Sequence, residues 1–186
     1  MIRKALLATM AAIGLTGCLV STGTIYHIDD PYQFLSRAAS RGPIPVMILG
    51  EPYPGRQVAV EAAVLDALDQ NFRSFNKPFR VVPPRPALSN GIVVLLSTAD
   101  VKSRPLAAAV CANPARPGLV VSQGANLDVG VVYCVDGPAS EAWAWLAKPA
   151  APETAEFQEA ISRAIYEGLP REIEPSRRLS GMLPPQ

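Results

Sequence analysis

Two stretches of the chain repeat an apolar residue every four positions. Val60, Val64, Leu68 and Phe72 form one stripe, with Ala63 and Ala67 beside it and Glu61, Asp66, Asp69 and Gln70 outside it. That spacing predicts an amphipathic helix over residues 57–72 with one face buried. Phe157, Ile161, Ile165 and Leu169 form the second stripe, with Glu153 and Glu156 at its acidic start and Gly168-Leu169-Pro170 at its stop, as a helix end requires. A shorter helix is predicted over residues 32–40, with Asp30 as N-cap, Pro31 at the first helical position and Phe34, Leu35 and Ala38 turned inward.

Between these helices the apolar residues run continuously or alternate, as strands do. Residues 44–49 form a short apolar run in which Pro45 points to a strand end or a sheet edge. Residues 79–82 read as a strand, followed by the stiff Pro83-Pro84-Arg85-Pro86 connection. Residues 92–96 are β-branched-rich and read as the central strand. Residues 119–122 and 129–135 read as two more strands, and Asp136-Gly137 as a turn that Pro138 loosens. Residues 140–147 alternate, placing Trp143, Trp145 and Ala147 on one face. Ser103-Arg104-Pro105 opens a one- or two-turn helix over 106–112 that presents Cys111. The order predicts an α+β fold: a mainly antiparallel sheet with two amphipathic helices packed on one face.

The ends carry no such pattern. Residues 171–186 are polar and Pro-containing and read as a loose tail. Residues 19–29 hold Ser, Thr and Gly with little periodicity and read as a tether; about eleven residues at ~3.3 Å each would reach ~36 Å. Ahead of them, Arg3 and Lys4 precede an uncharged apolar run over 5–13 and a small-residue cluster, Gly14 to Gly17, the layout of a signal peptide. The run is shorter than the roughly 20 apolar residues that span a bilayer.

Leu15-Thr16-Gly17-Cys18 resembles the lipobox of bacterial lipoprotein precursors. That resemblance implies a diacylglyceryl group on the Cys18 thiol, cleavage just before it, and acylation of the new amino group. Two or more acyl chains anchor a protein stably where one does so only marginally. In the same family, inner-membrane lipoproteins of Gram-negative bacteria often carry Asp after the Cys. Leu19 therefore favours the outer membrane, periplasmic face, over the inner membrane. The expected organisation is a signal peptide over 1–17, anchor and tether over 18–29, one domain over 30–170 and a tail over 171–186. The lipid bilayer is the expected partner, through acylated Cys18.

Of 186 residues, 17 are basic and 16 acidic. Cleavage would remove two of the basic ones, leaving a nearly neutral chain without the basic stripe that nucleic acid requires. Lipidation would take Cys18 from the thiol pool and leave Cys111 and Cys134. An even pair in an oxidising compartment reads first as a disulfide. Two buried free thiols, or a redox or metal site, are the alternatives, and neither C-x-x-C spacing nor a neighbouring His favours the latter. Arg41-Gly42-Pro43-Ile44-Pro45-Val46, then Gly50-Glu51-Pro52-Tyr53, then one Cys in each of two later segments, resembles a group of uncharacterised alphaproteobacterial lipoproteins. The likeness implies the same address and disulfide. No activity is assigned to that group, so no functional residue carries over.

Candidate chemistry is sparse. His27 stands beside Asp29 and Asp30, a grouping that could take a divalent metal only if something fixed it, and a single His excludes multi-His zinc sites. Trp143 and Trp145 form either part of the core or a stacking platform for a glycan. The Gly50–Gly55 loop lacks phosphate-loop spacing, and Glu61 and Asp66 fall on different faces of their helix. No catalytic residue, metal or cofactor is expected. The leading expectation is a non-enzymatic envelope module that binds another envelope protein or a glycan. The alternative is a periplasmic enzyme or binding protein acting on cell-wall or glycan material. As an enzyme it would use carboxylates such as Glu51, Asp100 or Asp128, gathered by folding beside the tryptophans.

Overall fold

The computed structural model describes residues 19–75, 79–86, 88–98, 105–115 and 124–171. The lipobox, Asp100, the strand expected over 119–122 and the tail beyond residue 171 lie outside these residues. Two short strands, β1 (Val20–Ser21) and β2 (Ile25–Tyr26), are followed by helix α1 (Pro31–Arg41), strand β3 (Ile44–Leu49) and helix α2 (Gln57–Asn71). Then come a 3-10 turn (Arg73–Phe75), strand β4 (Phe79–Val81), strand β5 (Asn90–Ser97) and helix α3 (Ala107–Ala112). Strands β6 (Asn126–Val135) and β7 (Pro138–Ala147) and helix α4 (Ala155–Gly168) complete the order.

The strands form one seven-stranded mixed sheet in the order β1-β7-β6-β5-β3-β4, with β2 also on the outer edge of β7. β3 pairs parallel with β4 and β5, whereas β5-β6, β6-β7 and the two β7-edge strands pair antiparallel. The fold is α+β and mainly antiparallel, as the pattern predicts. Helices α2 and α4 lie together on one face. Their apolar stripes bury Val60, Val64 and Leu68, and Phe157, Ile161 and Ile165, against Val46, Ile48, Val94, Val129 and Val131 of the sheet. Thr154 caps α4, its hydroxyl accepting the Phe157 N–H at 3.3 Å, which satisfies one of the amides a helix start leaves unpaired.

The opposite face carries a smaller core of Met47, Leu49, Val93, Leu95, Val132 and Cys134, covered by α3 with Ala107, Val110 and Cys111. Cys111 and Cys134 form a disulfide with Cα atoms 5.6 Å apart, inside the range such a bond requires.

Pro45 stands second in β3, at the strand end that the sequence points to, and the β3–β5 ladder begins one residue later, at Val46↔Ile92. Its carbonyl approaches Gly91 so closely that a Cβ there would lie 2.7 Å from it. Phe34 is exposed, and α1 instead buries Leu35 and Pro31. Asp30 holds the expected N-cap position in a left-handed conformation; its carboxylate makes no capping bond to a helix N–H and accepts from Gln33 Nε2 at 2.8 Å.

Residues 19–29, expected to stand off as a tether, run along the outer edge of β7. Val20 pairs with Trp145, Ser21 with Ala144, Ile25 with Glu141 and Tyr26 with Ser140. The ladder breaks between β1 and β2, and Thr22 bridges the gap. Its N–H donates to the Trp143 carbonyl at 2.9 Å, and its hydroxyl oxygen accepts the Trp143 N–H at 3.0 Å. Beyond β2, the His27 N–H donates to the Ala139 carbonyl at 3.0 Å. An uncovered β7 would expose a row of unpaired backbone groups. The segment closes that edge.

Candidate functional site

One hollow of the described residues follows from the small residues of α2 and α4. Both helices begin at the same end of the sheet and run side by side, α2 after β3 and α4 after β7. Where they face each other α2 offers Ala63 and Ala67, which are buried yet too short to fill the space between the helices. The result is a groove of about 560 Å³, floored by those alanines and Ala155. Its rim is polar and mixed in sign: Asp66 and Gln70 from α2, and Gln158, Glu159, Ser162 and Arg163 from α4. Arg163 also pairs with Glu167 at 2.7 Å.

One end of the groove is braced. Asn71 Nδ2 donates to the Ala67 carbonyl at 2.8 Å and to Ser162 Oγ at 3.3 Å, and Asn71 Oδ1 accepts from Arg171 at 2.7 Å. The Arg171 guanidinium lies 3.4 Å from the centroid of the Tyr166 ring, a cation–π stack. Burial lowers the pKa of Arg171, against the raising influence of Tyr166, Glu167 and Tyr26. The opposite end lies near the β3–α2 loop. There Tyr53 donates to the Pro149 carbonyl at 2.9 Å and meets Phe157 edge-on at 5.4 Å. Burial, then the nearby Glu153, pushes the Tyr53 phenol up to about 12. The groove is therefore a shallow surface held at both ends.

The residues singled out from sequence are mostly dispersed. His27 Nε2 lies 3.2 Å from Glu141 Oε1, while Asp29 and Asp30 line a separate hollow of about 200 Å³ with Tyr26, Tyr32 and Arg171. Glu51 accepts the Gly55 N–H at 2.9 Å and so orders its own loop. Asp128 is buried on the disulfide face, with Ser97 and Trp145 as cross-strand neighbours. Asp66 lines the groove, whereas Glu61 accepts from Gln57 at 3.2 Å. Among the described residues, no group of three or more His, Cys, Asp or Glu side chains is placed to hold a metal ion.

Of the two roles expected for Trp143, core or platform, the residue takes the first. It is only 5% exposed, packs with the disulfide-face cluster and stands across from Gly130. A Cβ on Gly130 would lie 2.5 Å from the indole, so the glycine makes the space the ring fills. Trp145, on the same face, is half-buried between Asp128 and Val20. The groove itself goes unread in the sequence, where Ala63 and Ala67 look like part of the buried stripe.

Comparison of the chain with protein-family models, with curated proteins and with solved structures returns no match.

Proposed function

We infer that this chain is a bacterial lipoprotein, acylated at Cys18 and held at the periplasmic face of the outer membrane. Its domain is a non-enzymatic module that binds another envelope component in the groove between α2 and α4. The observation that carries the address is Leu15-Thr16-Gly17-Cys18 behind a basic and then an apolar segment. The Cys111–Cys134 disulfide supports an oxidising compartment. The groove supports the binding role. Its volume of about 560 Å³ falls within the roughly 300–1,000 Å³ of ligand sites, and its walls are two helices fixed on a sheet.

The address is tested by the mass of the mature N-terminus. Wild-type protein should begin at an acylated Cys18, and Cys18→Ser should accumulate as an uncleaved precursor; processing and membrane association of Cys18→Ser would refute the address. The binding role is tested by photo-crosslinking in intact cells from Gln158, on the groove, and from Ala108, exposed on α3. A partner captured from Gln158 alone supports the groove. Identical products from both positions argue against it.

A further inference from the structure

If residue 18 is the lipidated position, the tether expected from sequence is missing where it is needed. Leu19 already packs against the helix-face core, and Val20 is already paired with Trp145. Cys18 is one peptide link from Leu19, with ~3.8 Å between Cα atoms. Followed backward from Ser21 to Val20, the antiparallel register of β1 runs toward the C-terminal end of β7, so the described chain begins at Leu19 beside that end. Asn126, at the start of β6, pairs with Ala147 on that rim, and the Lys148 N–H donates to the Ala125 carbonyl at 2.8 Å.

Resting on the lipoprotein reading above, we propose that the domain sits directly on the phospholipid headgroups by this rim, with no spacer between lipid and fold. The partner of the rim is the bilayer surface. The strap over residues 19–29 fixes the attitude of the domain, because Thr22 and His27 tie it to β7 at Trp143 and Ala139. Lys148 places its ammonium group 5.2 Å from the centroid of the Tyr53 ring at this end of the molecule, where it meets the phosphate layer. Both α2 and α4 begin at this end, so the groove between them runs away from the lipid surface and opens sideways along it.

The chain supplies its own reporter, since Trp143 and Trp145 are its two tryptophans and Trp145 is paired with the strap. The full lipidated protein is reconstituted into phosphatidylethanolamine–phosphatidylglycerol vesicles containing a fraction of dansyl-labelled phospholipid, and energy transfer from tryptophan is measured. A second protein carries a leucine followed by twelve Gly/Ser residues between Cys18 and Leu19, which lifts the domain without altering the strap. Transfer should be strong in the wild type and fall severalfold with the spacer. Mass spectrometry of both proteins separates the two possible failures. Acylated wild type whose transfer is as weak as that of the spacer protein overturns the seated domain and leaves the lipoprotein reading intact. An unmodified Cys18 overturns both.

Discussion

The two faces of the sheet are covered in different ways. On one, α2 and α4 contribute 15 and 14 residues of helix and bury two continuous apolar stripes. On the other, the six-residue α3 covers a smaller core, joined by Trp143 and the Cys111–Cys134 bond. Two helices packed side by side remove enough apolar area from water to hold a face by burial alone. One and a half turns of helix cannot, because such a segment barely overcomes its own ordering cost. The covalent link does on the second face what helix length does on the first.

The largest effect should come from opening the helix face. Phe157 is fully buried and meets Tyr53 edge-on, so Phe157→Ala should cost roughly 3–5 kcal/mol, read from the urea midpoint. Because Phe157 and the disulfide belong to separate clusters, the loss should be the same with and without reductant. A loss that changes in reductant would mean that the sheet couples the two faces.

Opening the disulfide face is the next step. The bond closes a separation of 23 residues, for which chain entropy gives a stabilisation of about 3 kcal/mol. Cys111→Ala and Cys134→Ala should each lose about that much, and the double variant should lose no more, since either change removes the whole bond. Reductant should bring the wild type down to the same midpoint. Single and double losses that add would show two independent packing contributions in place of one link.

The sequence makes the helix face legible and leaves the other largely dark, for a physical reason. A four-residue repeat such as Val60, Val64, Leu68, Phe72 records burial within one local segment, and all four residues are buried. The Trp143–Gly130 fit joins positions on neighbouring strands and exists only after β6 and β7 pair. The strap has no periodicity to read because its backbone hydrogen bonds are supplied by the edge of β7. The groove is hidden for the opposite reason. Ala63 and Ala67 obey the helical repeat, and only the placement of α4 turns their small size into a hollow. The cysteine pair is legible from the cysteine count, once the lipobox resemblance sets Cys18 aside.

Chemistry separates the faces again at high pH. Tyr53 and Tyr133 both belong to the helix-face core, and burial raises both phenols, Tyr53 to about 12 and Tyr133 also well above its ordinary value. The folded state holds these protons after the unfolded chain has released them near pH 10. Their contribution is therefore complete below pH 10 and is lost as pH rises through about 12 for Tyr53, because the unfolded state then binds fewer protons. Stability should fall across that window, and Tyr53→Phe should make the fall shallower. The Cys111→Ala/Cys134→Ala double variant, which leaves no thiol to titrate on that face, should show the same slope as the wild type, since the disulfide face carries neither tyrosine. An unchanged slope in Tyr53→Phe would remove this phenol from the account.

The smallest expected effect lies at the edge that joins the two faces. Thr22 stands where the strap leaves the ladder, and its hydroxyl oxygen accepts the Trp143 N–H. Thr22→Ala removes that acceptor but keeps the Thr22 N–H bond to the Trp143 carbonyl. Leaving one partly buried donor unpaired costs about 1 kcal/mol. The global midpoint should barely move, because β1 and β2 are two-residue strands that can open without the core. Amide exchange resolves the local loss: protection at Trp143 should drop roughly fivefold, the equivalent of ~1 kcal/mol, while Val131 and Val132 on the interior strand β6 keep theirs. Thr22→Ser retains the oxygen and should restore protection, which separates the hydrogen bond from the methyl group. Unchanged exchange at Trp143 in Thr22→Ala would mean that the backbone bond alone holds the strap to β7.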